Sequence, residues 1–290
     1  MSQLLSIRAP DHFGDGVMAL AAVTGLGGCA ATLGVRAWVH APPWGTELYG
    51  WLPGVEVVAR DVTPRQGSTG VLLKPSFGAA WRWRNLPERV GIAGNGRGWL
   101  LTGAVRDVPG EHRRQGYARV AGALGASVPV DARPSFAPRA PWEAWSPGPG
   151  FVALNAWGRT PSTRWPFMSA LADLLVREGR SVVFLAGPEE GNPVRALAGG
   201  HPVLDHRELA PLASLLRSAA LVVSHDSGLA HFAEACGASV LVVHGPTDPR
   251  VTGAGIGVCA APRTGGGRGM GGLSLARVHD AVQAALAPIG

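Results

Sequence analysis

One stretch, residues 221–249, constrains the fold of this 290-residue chain more than any other. It begins with the apolar run Leu221–Val223, continues through a short polar link into a predicted helix, and returns through the apolar run Val240–Val243 to a Gly-Pro-Thr-Asp-Pro turn. This order is strand, helix, strand. Because two parallel strands must be joined by a crossover connection, the stretch predicts one unit of a parallel α/β sheet.

The polar link of that unit predicts a binding site for phosphate. Ser227 and Gly228 stand at the predicted start of the helix, where backbone N–H groups and the positive end of the helix dipole point outward. In open α/β sheets, ligands bind at the carboxyl ends of the strands. The alternative is that the glycine merely allows the tight link that such folds need.

The same alternation of apolar runs and helical segments occurs in both halves of the chain. Residues 131–150 between the halves are rich in proline and glycine, as is typical of an interdomain linker. We therefore predict two doubly wound, Rossmann-like domains at residues 1–135 and 151–290, joined by a linker at 136–150. The two domains are expected to face a central cleft that holds the ligand.

The charge of the chain favours anionic partners. Its 26 basic and 20 acidic residues give a formal net charge of +6 and a pI of about 10.2, and Lys74 is the only lysine. Nucleotide sugars, phosphorylated glycolipids and acidic membrane surfaces fit this charge. The arginine excess could equally reflect biased composition. The sequence shows no motif for nucleic-acid binding, so we do not expect a nucleic-acid partner.

The cysteines and the apolar segments indicate a cytoplasmic protein. Cys29, Cys236 and Cys259 are widely spaced and odd in number, so they form neither a disulfide framework nor a metal-ligand pair. The uncharged segment Gly16–Val35 contains several glycines and follows Asp15 rather than a basic flank. It is therefore better explained as a helix, a loop and a strand than as a membrane span.

Four stretches that extend over most of the chain form a recognisable series. They are Ile7-Arg8-Ala9-Pro10 with Gly14-Asp15 and Met18; Arg89-Val90-Gly91 with Gly96-Arg97-Gly98-Trp99-Leu100-Leu101-Thr102; Arg164-Trp165-Pro166; and Asp226-Ser227-Gly228 through His231 to Gly245-Pro246-Thr247-Asp248-Pro249. Taken in order, they resemble glycosyltransferase family 9, the bacterial heptosyltransferases, and within it the heptosyltransferase II branch.

The resemblance implies the GT-B architecture, with the acceptor on the N-terminal domain and the nucleotide sugar on the C-terminal domain. It further implies an ADP-heptose donor, a saccharide or glycolipid acceptor such as lipopolysaccharide core, and inversion at the anomeric carbon. No metal and no cofactor are expected. A cytoplasmic location, with peripheral contact at the anionic inner membrane, is consistent with such an acceptor.

Asp15 is the predicted catalytic base. An inverting transfer needs a group that takes the proton of the attacking hydroxyl, and the resemblance places the family's catalytic aspartate here. The alternative is that Asp15 only caps a helix beginning at Gly16. Lys74 and His12 are assigned to the acceptor, although Lys74 could be an ordinary surface residue.

The donor is assigned to the C-terminal half. Arg164 and the helix start at residues 227–228 are predicted to receive the departing diphosphate. A glutamate after another strand is predicted to contact ribose, and the choice between Glu189 and Glu190 stays open. Arg164 could instead pair with a surface carboxylate, and a histidine at position 231 could be buried. The predicted donor-binding residues are Arg159, Thr160, Arg164, Glu189, Asp226, Ser227, Gly228 and His231.

One departure from the family pattern affects the donor site. Many members have a lysine two residues before the Trp-Pro pair, whereas this chain has Thr163. Arg159 or Arg164 must therefore replace that lysine, or donor binding is weaker. Alternative functions are transfer to a small molecule or a protein, a GT-B-type sugar-nucleotide epimerase, and a non-catalytic binding relative.

Overall fold

Strands and helices alternate throughout both halves of the computed structural model. It describes residues 4–129, 133, 135, 147–148, 150–158, 160–245, 247–255, 258–260 and 270–287. The chain divides into two units, Met1–Phe136 (unit 1) and Ala137–Gly290 (unit 2). Each unit has its own six-stranded sheet, which confirms the predicted α/β class. The predicted linker at 136–150 lies almost wholly outside the described residues.

Unit 1 is built on a parallel sheet with the strand order β3-β2-β1-β4-β5-β6. Its strands are β1 (Leu4–Arg8), β2 (Arg36–Ala41), β3 (Glu56–Ala59), β4 (Thr69–Leu72), β5 (Glu88–Ile92) and β6 (Gly103–Val105). Its helices are α1 (Phe13–Met18), α2 (Leu20–Thr32), α3 (Pro43–Gly50), α4 (Phe77–Arg82) and α5 (Arg113–Gly122). The strand order reverses between β1 and β4, so a ligand crevice is expected at their carboxyl ends.

Unit 2 has the equivalent order, β12-β11-β10-β7-β8-β9, again with parallel pairs. Its strands are β7 (Val152–Asn155), β8 (Val182–Ala186), β9 (Val203–Asp205), β10 (Leu221–His225), β11 (Val240–His244) and β12 (Val258–Ala260). Its helices are α6 (Met168–Arg177), α7 (Gly191–Ala198), α8 (Leu209–Ser218), α9 (Gly228–Ala235), α10 (Pro249–Thr252) and α11 (Leu275–Leu286). The reversal falls between β7 and β10.

The burial of unit 2 explains its layered structure. Strands β7, β8, β10 and β11 are buried at every position, as expected for parallel strands that are covered on both faces. Helix α6 contributes a stripe spaced at helical intervals to this core, comprising Met168, Leu171, Ala172 and Leu175. None of the described helices is both long and apolar enough to cross a membrane.

Helix α1 is fixed to α3 by a close contact at Gly16. A Cβ atom at this position would lie 2.2 Å from the Trp44 ring, so only glycine allows the approach. The Tyr49 hydroxyl also donates a hydrogen bond to the Gly16 carbonyl at 3.0 Å. The helix begins at Phe13 with His12 as its N-cap residue. The alternative that Asp15 caps a helix beginning at Gly16 is therefore wrong, because Asp15 lies inside the first turn.

Candidate active site

Asp15 lies beside the carboxyl end of β1, where three helices meet around it. Its own helix, α1, packs against α3, and the first residue of α5, Arg113, donates from Nη1 to Asp15 Oδ1 at 2.5 Å. The Asp15 side chain is 14% exposed and that of Arg113 is half exposed. Because one partner is half exposed, solvent screens the pair, and pairs of this kind contribute on the order of 1 kcal/mol to stability. The contact therefore matters mainly for the orientation of the carboxylate.

The negative charge of Asp15 affects the pKa values of two buried tyrosine side chains. Burial, and then the negative charge of Asp15, raise the pKa values of Tyr49 and Tyr117 well above the ordinary range. Both side chains are therefore neutral at physiological pH. A carboxylate is a suitable group to accept a proton from a nearby hydroxyl.

A second ion-pair cluster joins the ends of β1 and β4. Asp11 accepts from Arg8 Nη2 at 2.5 Å and lies 2.8 Å from Lys74 Nζ. Burial opposes ionisation of Asp11, but the hydrogen bonds from Lys74 and Arg8 outweigh it and hold the pKa of Asp11 below its usual value. With two cations and one anion, the cluster keeps a net positive charge. It therefore suits an acceptor with a phosphate or carboxylate group.

The two residues assigned to the acceptor differ in their settings. Lys74 follows β4 directly, and its backbone N–H donates to the Arg8 carbonyl at 3.2 Å, so it belongs to the strand reversal of unit 1. His12 is exposed at the N-cap of α1, and its side chain makes no capping hydrogen bond. Both residues lie at the same end of the sheet as Asp15, because His12 and Asp15 follow the carboxyl end of β1 and Lys74 follows that of the neighbouring parallel strand β4.

In unit 2, a network of neutral side chains joins the ends of β7 and β10. Asn155 donates from Nδ2 to the hydroxyls of Ser224 and Ser227, both at 2.9 Å. Ser227 is the N-cap residue of α9, yet its hydroxyl makes no capping bond to that helix. The first N–H groups of α9 are thus not satisfied by this side chain, as a phosphate site at a helix start requires.

Arg164 is brought to the same edge by its neighbour. The Trp165 backbone N–H donates to Nε2 of His225, the last residue of β10, at 2.9 Å. The Arg164 guanidinium lies 3.4 Å from the centroid of the Trp157 ring and donates from Nε to the Gly158 carbonyl at 2.9 Å. The structure therefore brings Arg164 and the start of α9 to one edge of the sheet.

His225 fixes this arrangement as a neutral residue. Its Nε2 accepts a hydrogen bond, so the ring proton of the neutral form is on Nδ1. Burial, and then the positive charge of Arg164, lower the pKa of His225 to about 4. At neutral pH the ring is therefore uncharged and anchors the Arg164–Trp165 turn.

Asp226 is engaged within unit 2. Its Oδ2 accepts from the Thr252 hydroxyl at 2.9 Å and lies 3.7 Å from His244 Nδ1. The side chain of His244 is completely buried, and burial lowers its pKa although Asp226 raises it. Asp226 thereby ties α10 and the end of β11 to the turn before α9. Its predicted contact with the donor stays a prediction.

The two glutamates that follow β8 have different surroundings. Glu190 Oε2 accepts from the Gly187 backbone N–H at 2.9 Å, so this carboxylate belongs to its own turn. Glu189 is exposed and has a φ of 70°, which is unusual for a residue with a side chain. Strained backbone of this kind often marks a binding site. The ribose contact stays a prediction for either glutamate.

The remaining predicted donor residues have unequal positions. Thr160 is exposed, and its carbonyl accepts from the Thr163 hydroxyl at 2.8 Å. His231 is only 3% exposed and faces the interior on α9. Arg159 lies outside the described residues. The roles of these three residues in donor binding stay predictions.

Sequence reasoning did not assign the residues that position the predicted ones. Arg113 is 98 positions from Asp15, and His225 is 60 positions from Trp165, so sequence proximity does not reveal either contact. Asn155 and Ser224 carry a weak signal, because each is a polar residue at the end of an apolar run. Within the described residues, no group of three His, Cys, Asp or Glu side chains is arranged to hold a metal ion.

Residues 147–260 match the family model described as "Glycosyltransferase family 9 (heptosyltransferase)". The match includes the Asn155 network, Arg164 and the start of α9. The chain is a glycosyltransferase whose residues 147–260 are similar to family 9. No curated protein matches the chain.

Solved structures share the fold of this glycosyltransferase. A glycosyl transferase family 9 protein from Veillonella parvula has a TM-score of 0.77 at 16% identity, covering 98% of this chain and 97% of its own. E. coli ADP-heptose lps heptosyltransferase II has a TM-score of 0.75 at 21% identity, with coverages of 99% and 98%. E. coli heptosyltransferase WaaC, solved with ADP, has a TM-score of 0.75 at 20% identity, with coverages of 98% and 99%. The fold is therefore that of the GT-B heptosyltransferases.

Proposed function

We propose that this glycosyltransferase moves a heptose from ADP-heptose to a saccharide or glycolipid acceptor such as lipopolysaccharide core. The observation that carries the proposal is the Asn155–Ser224–Ser227 network at the start of α9, which lies inside the span that matches the family model. Two similar structures support the donor class, because one is described as an ADP-heptose enzyme and another was solved with ADP.

In this proposal, unit 2 binds the donor. The start of α9 and Arg164 accept the charge that develops on the leaving diphosphate. A helix start contributes about 0.3–1 kcal/mol toward a nearby anion at an exposed site, and charge-assisted bonds from arginine contribute more. Glu189 is proposed to accept hydrogen bonds from ribose. The diphosphate is proposed to leave without help from a metal ion.

Unit 1 is proposed to bind the acceptor and supply the base. The acceptor oxygen attacks the anomeric carbon on the face opposite the diphosphate, so the new C–O bond forms as the bond to phosphate breaks. Asp15 takes the proton of the attacking hydroxyl, and the product carries the inverted configuration. Lys74 and His12 are proposed to contact the acceptor. We propose a cytoplasmic location, because the nucleotide-sugar donor and reduced cysteines fit that compartment.

Thermal stabilisation across a panel of nucleotides tests the donor class first. A ligand at about 100 times its Kd stabilises the folded state by roughly 2.7 kcal/mol. We expect ADP to raise the melting temperature more than UDP or GDP at equal concentration. Preference for UDP would contradict the ADP-heptose assignment.

Turnover then tests the reaction. With ADP-heptose and a lipopolysaccharide-core acceptor, we expect ADP release and an inverted product that persist in excess EDTA. A strict requirement for added metal would contradict the proposed leaving-group chemistry. Isomerisation of the donor without any acceptor would instead identify an epimerase.

A further inference from the structure

Three aromatic side chains form an exposed cluster on unit 1, here called the aromatic patch. Phe77 is 45% exposed, Trp81 is 46% exposed and Trp99 is 68% exposed. Their ring centroids lie 6.1, 6.2 and 6.4 Å apart, so the three rings form one continuous surface. Contiguous exposed apolar surface of this kind usually marks an interaction site.

The patch is not needed to complete the core of unit 1. Phe77 and Trp81 stand four positions apart on α4 and so share one helix face. The opposite side of the helix supplies Ala79 and Ala80 to the core, together with Trp83, which is only 2% exposed. The sequence thus places two large aromatic residues outward although the inner face of the helix is already packed.

Exposed arginine lies beside the patch. The Arg84 guanidinium lies 4.4 Å from the centroid of the Trp81 ring. Residues 74–102 contain one acidic residue, Glu88, which bonds to Thr69 at the amino end of the sheet. The same segment contains five basic residues, of which Arg82 and Arg84 are exposed, whereas Arg97 is buried and Lys74 pairs with Asp11.

The position of the patch links it to the candidate acceptor site. Phe77 begins α4 three residues after Lys74, at the carboxyl end of β4. Trp99 lies in the connection after β5, the strand next to β4. The patch therefore lies at the same edge of the unit 1 sheet as Asp15 and Lys74.

We propose that the aromatic patch docks unit 1 onto an anionic lipid bilayer. Tryptophan rings settle at the boundary between water and hydrocarbon, and arginines beside them bind anionic headgroups. Three exposed aromatic rings beside exposed arginines match the two layers of such a surface, because the rings enter the interface and the arginines bind the anionic headgroups. The docking itself is independent of the proposed reaction. Only the inference that it presents Asp15 to a glycolipid acceptor rests on the proposed function.

Flotation with vesicles tests the proposal. The probe is a vesicle of phosphatidylethanolamine and phosphatidylglycerol, with phosphatidylcholine vesicles as the neutral comparison. We expect the wild-type chain to float with anionic vesicles and to bind neutral ones much more weakly. Trp81→Ala combined with Trp99→Ala should weaken binding at least about tenfold, and Arg84→Gln about fivefold.

Matched substitutions outside the patch provide the controls. Leu33→Ala removes an apolar side chain that is 70% exposed, and Arg177→Gln removes an exposed arginine of unit 2. Both should bind vesicles like the wild type. If the double tryptophan variant unfolds, Trp99→Ala alone is the substitute, because this side chain is the most exposed of the three.

Three outcomes would overturn the proposal. These are no binding of the wild type to anionic vesicles, equal binding by the patch and control variants, and loss of affinity for a delipidated saccharide acceptor with vesicle binding unchanged. The last outcome would identify a saccharide platform instead. Vesicle binding is measured without donor or turnover, so its result is separate from the nucleotide and turnover tests of the proposed function.

Discussion

The two units share one strand order but use opposite chemistry where that order reverses. In unit 1, the ends of β1 and β4 carry ion pairs: Asp11 with Arg8 and Lys74, and Asp15 with Arg113. In unit 2, neutral hydrogen bonds hold the ends of β7 and β10: Asn155 donates to Ser224 and Ser227, and His225 accepts from the Trp165 backbone N–H.

In both units the strand order determines where the candidate site lies. The few residues that follow the strands determine its chemistry. A carboxylate held by a guanidinium can accept a proton from an incoming hydroxyl. A neutral amide and hydroxyl network beside a helix start can accommodate a diphosphate, with Arg164 as the cation at the same end of the sheet. Each edge therefore suits one half of a glycosyl transfer.

The largest expected effect comes from removing the charge at the unit 1 edge. Asp15→Asn keeps the size of the side chain but removes the base, so kcat should fall by about 10²–10⁴-fold. ADP affinity, measured by thermal stabilisation or calorimetry, should not change. Asp61→Asn, an exposed aspartate of the same unit, is the control and should keep full turnover. Unchanged turnover in Asp15→Asn would remove the proposed base.

An intermediate effect is expected when acid protonates the buried histidines of unit 2. Burial lowers the pKa of His225 to about 4 from 6.5, and that of His206 likewise. Because the unfolded chain binds more protons between pH 6.5 and 4, these groups contribute full stability above pH 6.5 and lose it across this window. A shift of this size corresponds to roughly 3 kcal/mol per group.

Hydrogen exchange, read separately for peptides of the two units, measures this pH effect. Unit 1 also holds one buried histidine, His40, with its pKa lowered to about 4. We therefore expect unit 2 to lose protection more steeply than unit 1 between pH 6.5 and 4.5. His225→Gln should reduce the slope in unit 2 while leaving unit 1 unchanged. Equal slopes in both units would contradict the assignment.

The smallest effect is expected from adding a charge to the neutral edge. Thr163→Lys restores the cation that many relatives are expected to have there, and ADP affinity should rise by about two- to fivefold at low salt. Ser162→Lys adds the same charge at the exposed neighbouring position and should change affinity less. An equal gain in both variants would show that the effect is nonspecific attraction.

Continuous apolar runs were sufficient to predict most of the inner strands. The sequence did not predict β5, whose apolar run is interrupted by Arg89 and Gly91, or the three edge strands of three residues each, β6, β9 and β12. The burial of β6 and β9 is only partial, so an apolar run is weak or missing there. Edge strands pair on one side only, and tertiary pairing rather than sequence pattern determines them.

The candidate site was predictable to the extent that its residues follow strands. Asp15, Arg164 and Ser227 all lie close to the carboxyl ends of the strands in their sheet, as the motifs indicate. The contacts that orient them come from distant segments: Arg113 on α5 and His225 on β10. Such contacts depend on how helices pack onto the sheet, which no local spacing records.

The setting of Lys74 has a practical consequence. It is the only lysine of the chain, and its side chain is 22% exposed beside Asp11 at the unit 1 edge. An amine-reactive dye therefore has a single ε-amino target, located where the acceptor is proposed to bind. Protection of that amine from labelling would report acceptor occupancy directly, without turnover and without any substitution in the chain.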